Sequence, residues 1–364
     1  MSAKEPKEYD AVLGGQNFPP INAAILGGIA GVKHGLASPS VEARLAAITD
    51  AINYGEEGLE AAIAVFDDAD ELVRTIAAGM FGAQEQLILL KKGAAIWNKW
   101  RVPNLLLLSG FVDLSWGDFS GFDLAKVNLR DSNLAGANFA SANLGGAKIF
   151  QSSLELTNLR NADLSGANLS RSNLNGADLQ AANLSVANLR WVNFREANLS
   201  QSILKKAKLC GADLSGADLT GADLSGADLS GTKLGGVNFA RANLAGIKLI
   251  RANFNGGDFK GLVLAGANLG WSKFAGACFM KANLRGANLE RTDLTNTDFV
   301  EADLTGANLC DADFTQANLR RANLSGAVLK RVKFLDANIS GTNFNGANLS
   351  SIMIYYEVDP WRSP

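Results

Sequence analysis

The sequence predicts a mainly β chain that turns a corner every five residues, preceded by a small α-helical domain. Three observations carry that prediction. From Leu114, every fifth residue is Leu, Phe or Ile without a break to Leu349, a run of 48 positions. Two residues before each of these stands a small residue, usually Ala (Ala137, Ala142, Ala147, Ala162, Ala167), with Asn or Asp between (Asn138, Asp163). Residues 1–103 lack this period and carry apolar residues at helical spacing instead.

A period of five fits neither a 3.6-residue helix nor a two-residue strand. On an α-helix these leucines would spread round the whole surface. A chain that turns every five residues points Ala and Leu inward and leaves three positions outside. Asn and Asp suit turns because their side chains bond nearby backbone groups, and Gly tolerates the positive φ of a tight corner. The stretch GADLSGADLTGADLSGADLSG (Gly211–Gly231) is the purest form of the unit.

The unit A-(D/N)-L-x-x over about two-thirds of the chain resembles the pentapeptide-repeat family. The resemblance implies a right-handed quadrilateral β-helix with four repeats per coil, so that 48 repeats make about twelve coils. At the inter-strand spacing of about 4.8 Å, such a rod is roughly 58 Å long. One unit cannot stand alone. A buried Leu or Phe gains about 1.5–3 kcal/mol, whereas five residues lose around 5–10 kcal/mol of backbone entropy. Stability then belongs to the stacked array.

Residues twenty apart should share a column. Phe239, Phe259, Phe279 and Phe299 form one inner ladder, read as structural core. Phe254, Phe274, Phe314 and Phe334 fall on the neighbouring side. Outside, two faces are mostly small, with pairs such as Ser165-Gly166, Ser225-Gly226, Ala135-Gly136 and Gly235-Gly236. Exceptions there are Lys205-Lys206 and Arg195-Glu196. The column after Leu129 is rough and basic: Arg130, Arg171, Arg190, Trp191, Arg251, Trp271, Arg291, Lys330 and Arg331, opposed by Asp131, Glu290 and Asp311. The column after Phe139 adds Arg160, Arg241, Lys260, Lys281, Arg320 and Arg321. Exposed Trp and Arg together are favoured at protein interfaces, so the nine residues of the first column are the candidate protein interface. A solvated face that resists aggregation reads the same residues differently. Nucleic-acid binding fits less well, because the ridge is thin and the chain carries 34 basic against 36 acidic residues.

Residues 1–103 read as an α-helical, HEAT-like module. Ser40 opens VEARLAAITDAINYG, with a stop at Gly55; EEGLEAAIAVF follows, and Asp70-Glu71 opens ELVRTIAAGMF. The segment resembles the helical module attached to some cyanobacterial pentapeptide-repeat proteins. WNKWRVPN (Trp97–Asn104) reads as the junction, residues 104–350 as the β-helix, and 351–364 as a C-terminal capping tail. A β-helix exposes strand edges at both ends, and edges aggregate unless covered. The aromatic tail SIMIYYEVDPWRSP can plug the last coil, or join two copies end to end through Tyr355–Trp361.

No catalytic constellation stands out. His34 has no nucleophile in a recognisable motif, and Gly27-Gly28…Gly31 resembles a phosphate loop only faintly. The Asp213, Asp218, Asp223, Asp228 ring points four ways and cannot converge on a metal. No cofactor is expected. Cys210, Cys278 and Cys310 make no disulfide framework, which suits a reducing cytosol. MSAKEPKEYD lacks the apolar core of a signal peptide, and no run approaches a membrane span. A cytoplasmic, non-enzymatic scaffold or regulator for protein partners is the expected function. A DNA mimic that inhibits a topoisomerase, a role the resemblance admits, needs a strongly negative rod; residues 104–364 carry net +2. Bilin attachment in the helical module is the remaining alternative suggested by resemblance.

Overall fold

The computed structural model describes residues 27–79, 83–107 and 112–349. Contacts divide the chain into two compact units, residues 1–85 with 102–107, and residues 86–101 with 108–364. The tail 351–364, with the proposed end-to-end contact, lies outside the described residues.

The first unit is built from short helices. They are α1 (Gly28–Leu36), α2 (Val41–Ala51), α3 (Gly55–Ile63) and α4 (Glu71–Gly79). Their starts follow from capping side chains. The Ser40 hydroxyl accepts from the Ala43 N–H at 3.3 Å and donates to Glu42 at 2.6 Å. Asp70 accepts from the N–H groups of Leu72 and Val73 at 2.8 and 3.3 Å. Each satisfies donors that a helix start leaves free. Gly55 stands at φ +55°, where the chain leaves a 3₁₀ turn and enters α3. Arg44 and Asp68 form a half-buried ion pair at 2.8 Å, and Arg44 also donates to the carbonyls of Ser38 and Pro39. One cation thus ties the turn before α2 to the turn before α4.

The second unit begins with α5 (Ala83–Lys91) and α6 (Ala94–Leu107), of which residues 86–101 belong here. A β-helix follows. Its first rungs are β1 (Val112–Asp113) and β2 (Ser132–Asn133), paired in parallel. All but two of the later rungs are single parallel bridges between residues twenty apart, from Asp118↔Asn138 to Val328↔Asn348. Four five-residue units therefore close one coil, with no slip of register. Each corner is the same turn. At most corners the N–H two residues before the inward Leu or Phe returns to the carbonyl of the preceding one, as from Gly117 to Leu114 at 3.2 Å, whereas Ser132, Ser152 and Ala252 donate to a Ser hydroxyl one coil on. The third residue of the turn has φ near +60°, the mark of a type II turn. More than half of these left-handed residues are not glycine; Trp116, Trp191 and Trp271 are among them.

Inside, the fifth-residue Leu and Phe side chains from Leu114 to Leu329 are almost wholly buried. Phe259, Phe279 and Phe299 stack at 4.8 and 4.7 Å, while Phe254 and Phe274 stack beside them at 5.3 Å. The two columns meet edge to face at 5.2–5.4 Å. A second column is polar. The Ser152 and Ser172 hydroxyls donate to the carbonyls of Leu129 and Ile149 and accept from the N–H groups of Ser132 and Ser152. A buried hydroxyl costs little when both of its capacities are used.

The stack opens at one junction. Among the described residues, no bridge joins Lys233 to Asn253 or Asn238 to Asp258, although Asp228↔Lys248 and Asn243↔Val263 stand on either side. The N–H groups of Gly231, Leu234, Gly236, Phe239 and Arg241 make none of the cross-coil bonds their position calls for. The Phe239–Phe259 ring distance widens to 6.5 Å. These two coils hold Phe239, Phe254 and Phe259, and also Val237, Ile247 and Leu262 where Ala is usual. Extra methylenes in a filled core force the backbone apart, and here the coils separate on two of their four sides.

Candidate interaction face

The uniform register places Arg130, Arg171, Arg190, Trp191, Arg251, Trp271, Arg291, Lys330 and Arg331 along one corner column. Six of them, Arg171, Trp191, Arg251, Trp271, Arg291 and Arg331, occupy the left-handed corner itself. A side chain there stands off the rod and leans over the next coil. Trp191, 64% exposed, lies across Gly211, where a Cβ would meet its ring at 2.5 Å. Trp271, 49% exposed, is covered on one side by the Arg291 guanidinium, 4.5 Å from the ring centroid.

The column divides by charge. Toward its C-terminal end Arg291 lies 3.5 Å from Asp311 and 3.9 Å from Glu290, and Arg331 grips Asp311 with two nitrogens. The hydrogen bonds from Arg331, joined by its charge and that of Arg291, hold the Asp311 carboxyl below the usual carboxylate range despite some desolvation. The two arginines of that end are thus paired within the column. At the other end Arg130 pairs with Asp131 at 3.5 Å and lies 5.9 Å from the centre of the Phe150 ring. Between the two, among the described residues, Arg171, Arg190 and Arg251 have no carboxylate within ion-pair distance. The sequence reading set only Asp131, Glu290 and Asp311 against the ridge; the structure pairs these three with Arg130, Arg291 and Arg331, and among the described residues leaves Arg171, Arg190, Arg251 and Lys330 without an ion pair. The pairing was legible in the sequence, because Asp311 stands twenty residues from both Arg291 and Arg331, and Glu290 adjoins Arg291.

The separated coils meet this column. Ser230, Gly231, Ile250, Arg251 and Trp271 line an open hollow of about 510 Å³ there. One of its lining residues, Gly231, has an N–H that lacks the cross-coil bond Gly211 makes to Ser230 at 3.1 Å. The second rough column is more closely paired. Arg160 reaches Asp178 at 2.9 Å, and Lys281 and Arg321 share Glu301 at 3.7 and 3.9 Å.

The Asp213, Asp218, Asp223 and Asp228 ring acts in turns, each Oδ1 accepting from the N–H two residues on at 2.9–3.1 Å. Asx side chains also form ladders along the rod, as Asn138 Nδ2 to Asp118 and Asn158 Nδ2 to Asn138, both 2.9 Å. Among the described residues no group of three or more metal-ligating side chains converges, and the cysteines are free. Among the described residues no helix is long and apolar enough to cross a membrane.

The segment WNKWRVPN does more than join two parts. Its first residues stand in for a coil that is not there. The Trp97 indole N–H donates to the Asn128 carbonyl at 2.6 Å, and Asn98 accepts from the Asn128 N–H at 2.7 Å while donating to the Lys126 carbonyl. Arg101 donates to the Arg130 carbonyl and the Ser132 hydroxyl. Arg101 is fully buried, and burial pulls its pKa down to about 10. The edge below the rough column is thus closed by side chains of α6.

A family model described as Pentapeptide repeats matches the sequence in eight copies between residues 113 and 350. No curated protein matches it. Among solved structures, the chain is similar to HetL, a pentapeptide repeat protein involved in heterocyst differentiation regulation from the cyanobacterium Nostoc sp. strain PCC 7120. Identity is 27% over 64% of this chain and 88% of that one, with a TM-score of 0.24. Rfr23 from the cyanobacterium Cyanothece 51142 matches at 28% identity over 31% and 88%, TM-score 0.19. Full-length QnrB1, a plasmid-mediated fluoroquinolone resistance protein, matches at 20% over 58% and 92%, TM-score 0.19.

Proposed function

The chain belongs to the pentapeptide-repeat family, and from that premise we propose that it is a non-enzymatic scaffold or regulator that docks a protein partner on the corner column from Arg130 to Arg331. One observation carries the reading: Trp191 and Trp271 stand exposed on the same column as unpaired arginines. Exposing large aromatic surface to water is unfavourable, and Trp with Arg dominates the binding energy of protein interfaces. The first unit supplies a second docking surface in this reading. The rod holds the column at fixed spacing, so that partner contacts made several coils apart are made in one geometry.

The test uses the full chain as bait in a lysate of its source. The quadruple variant Arg190→Ala, Trp191→Ala, Arg251→Ala, Trp271→Ala should lose the partners that the parent enriches. Lys205→Ala with Lys206→Ala, on another face, should keep them. Equal recovery by parent and quadruple variant, with unchanged circular dichroism, overturns the assignment of this face.

A further inference from the structure

Resting on that reading, we infer that the middle of the column is a recognition site for an acidic, extended protein segment carrying an aromatic side chain. Three features meet there. The first is charge without a partner. Arg291 and Arg331 are occupied by Glu290 and Asp311, whereas Arg171, Arg190 and Arg251 are exposed and unpaired. A carboxylate held by Arg251 or Arg190 meets no competing acid on the column.

The second is shape. The hollow between Ser230, Gly231, Ile250, Arg251 and Trp271 is apolar on one wall and cationic on another. Nothing lies within 4 Å of where a Cβ on Gly231 would stand. Its volume of about 510 Å³ falls in the range of small binding pockets and admits one aromatic side chain. The Trp271 ring is available on the face away from Arg291 for stacking.

The third is backbone. The parted coils leave the Gly231 N–H without its cross-coil acceptor. An extended peptide can satisfy such a group with its own carbonyl, as in strand addition. Nucleic acid fits less well. Duplex binding rests on many phosphate contacts, on the order of 6–10 for a strong site, and this column offers three unpaired arginines in single file.

The experiment titrates the full chain with a fluorescein-labelled synthetic peptide of alternating Glu and Phe, read by anisotropy. Saturable binding is expected, about tenfold weaker for the Gln–Phe analogue and for the Glu–Ala analogue, a loss of about 1.4 kcal/mol each. Arg251→Gln should weaken the Glu–Phe peptide about tenfold, while Lys205→Gln changes it less than about twofold. Equal affinity for the Glu and Gln peptides overturns the proposal, as does indifference to Arg251→Gln. Tighter binding of a mixed-sequence DNA duplex would reassign the site to nucleic acid. Failure here is distinguishable from failure of the scaffold reading. If Trp191→Ala and Trp271→Ala abolish partner capture while Arg190→Gln and Arg251→Gln do not, the column is an interface and its partner is not acidic.

Discussion

At the corner residue, backbone and surface chemistry are one problem. An L-residue in the left-handed region costs roughly 1–2 kcal/mol relative to its usual conformations. Gly266 sits there at φ +66° with open space where a Cβ would go. Gly266→Ala should therefore lower stability by about 1 kcal/mol through the backbone alone. Gly211→Ala carries the same backbone cost, and its Cβ must also displace the Trp191 ring. Urea melts should show the larger loss for Gly211→Ala, and only that variant should shift tryptophan emission. The same geometry explains why interface residues accumulate at corners. A corner that is not glycine projects its side chain over the next coil, and a glycine one coil on leaves it room to lie flat. Trp116 over Gly136 repeats the arrangement of Trp191 over Gly211.

Coils and caps are decided by packing that single positions do not show. The five-residue run from Leu114 to Leu349, taken with the four repeats per coil that the family resemblance implies, made the coil, its register and the corner column legible, because a period without slips places stacked residues twenty apart. The parted junction was not legible. It follows from the combined volume of Val237, Ile247, Leu262 and three phenylalanines within two coils, each unremarkable at its own position. Val237→Ala should let these coils approach, so the amides of Leu234 and Phe239 should exchange with solvent more slowly by hydrogen exchange. The capping role of Asn98 was hidden for another reason. The residue lies in a helix, and only the missing coil below Asn128 gives its amide something to bond. Asn98→Ala leaves the Asn128 N–H unpaired at a cost of about 1–3 kcal/mol. Faster exchange of that amide, with the Phe279 region unchanged, is the expected result.

The array as a whole repeats one electrostatic motif along its length. Asp213, Asp223, Asp228, Asp303 and Asp313 are desolvated, which alone would raise their pKa. Hydrogen bonds from the Ser or Thr two residues on, and nearby donors or cations such as Lys233, Lys205 and Lys333, outweigh that and lower it. A carboxyl whose folded pKa is depressed adds stability that is fully present above its unfolded value and is lost as pH falls through the folded one. The window therefore opens near pH 4, the ordinary carboxylate value of about 3.9, and extends downward. Because coils support only their neighbours, the loss should be graded along the rod rather than cooperative. Thermal melts at pH 7, 4 and 2.5 should show little change across the first interval and a marked, broadened fall across the second. Asp223→Asn retains an acceptor for the Ser225 N–H and removes the titrating group. It should cost some stability at pH 7, through the lost Lys205 contact at 3.2 Å, and narrow the difference between pH 7 and pH 2.5. A parent melt that is unmoved by acid would mean that these carboxylates bond no more strongly in the folded rod than in the open chain.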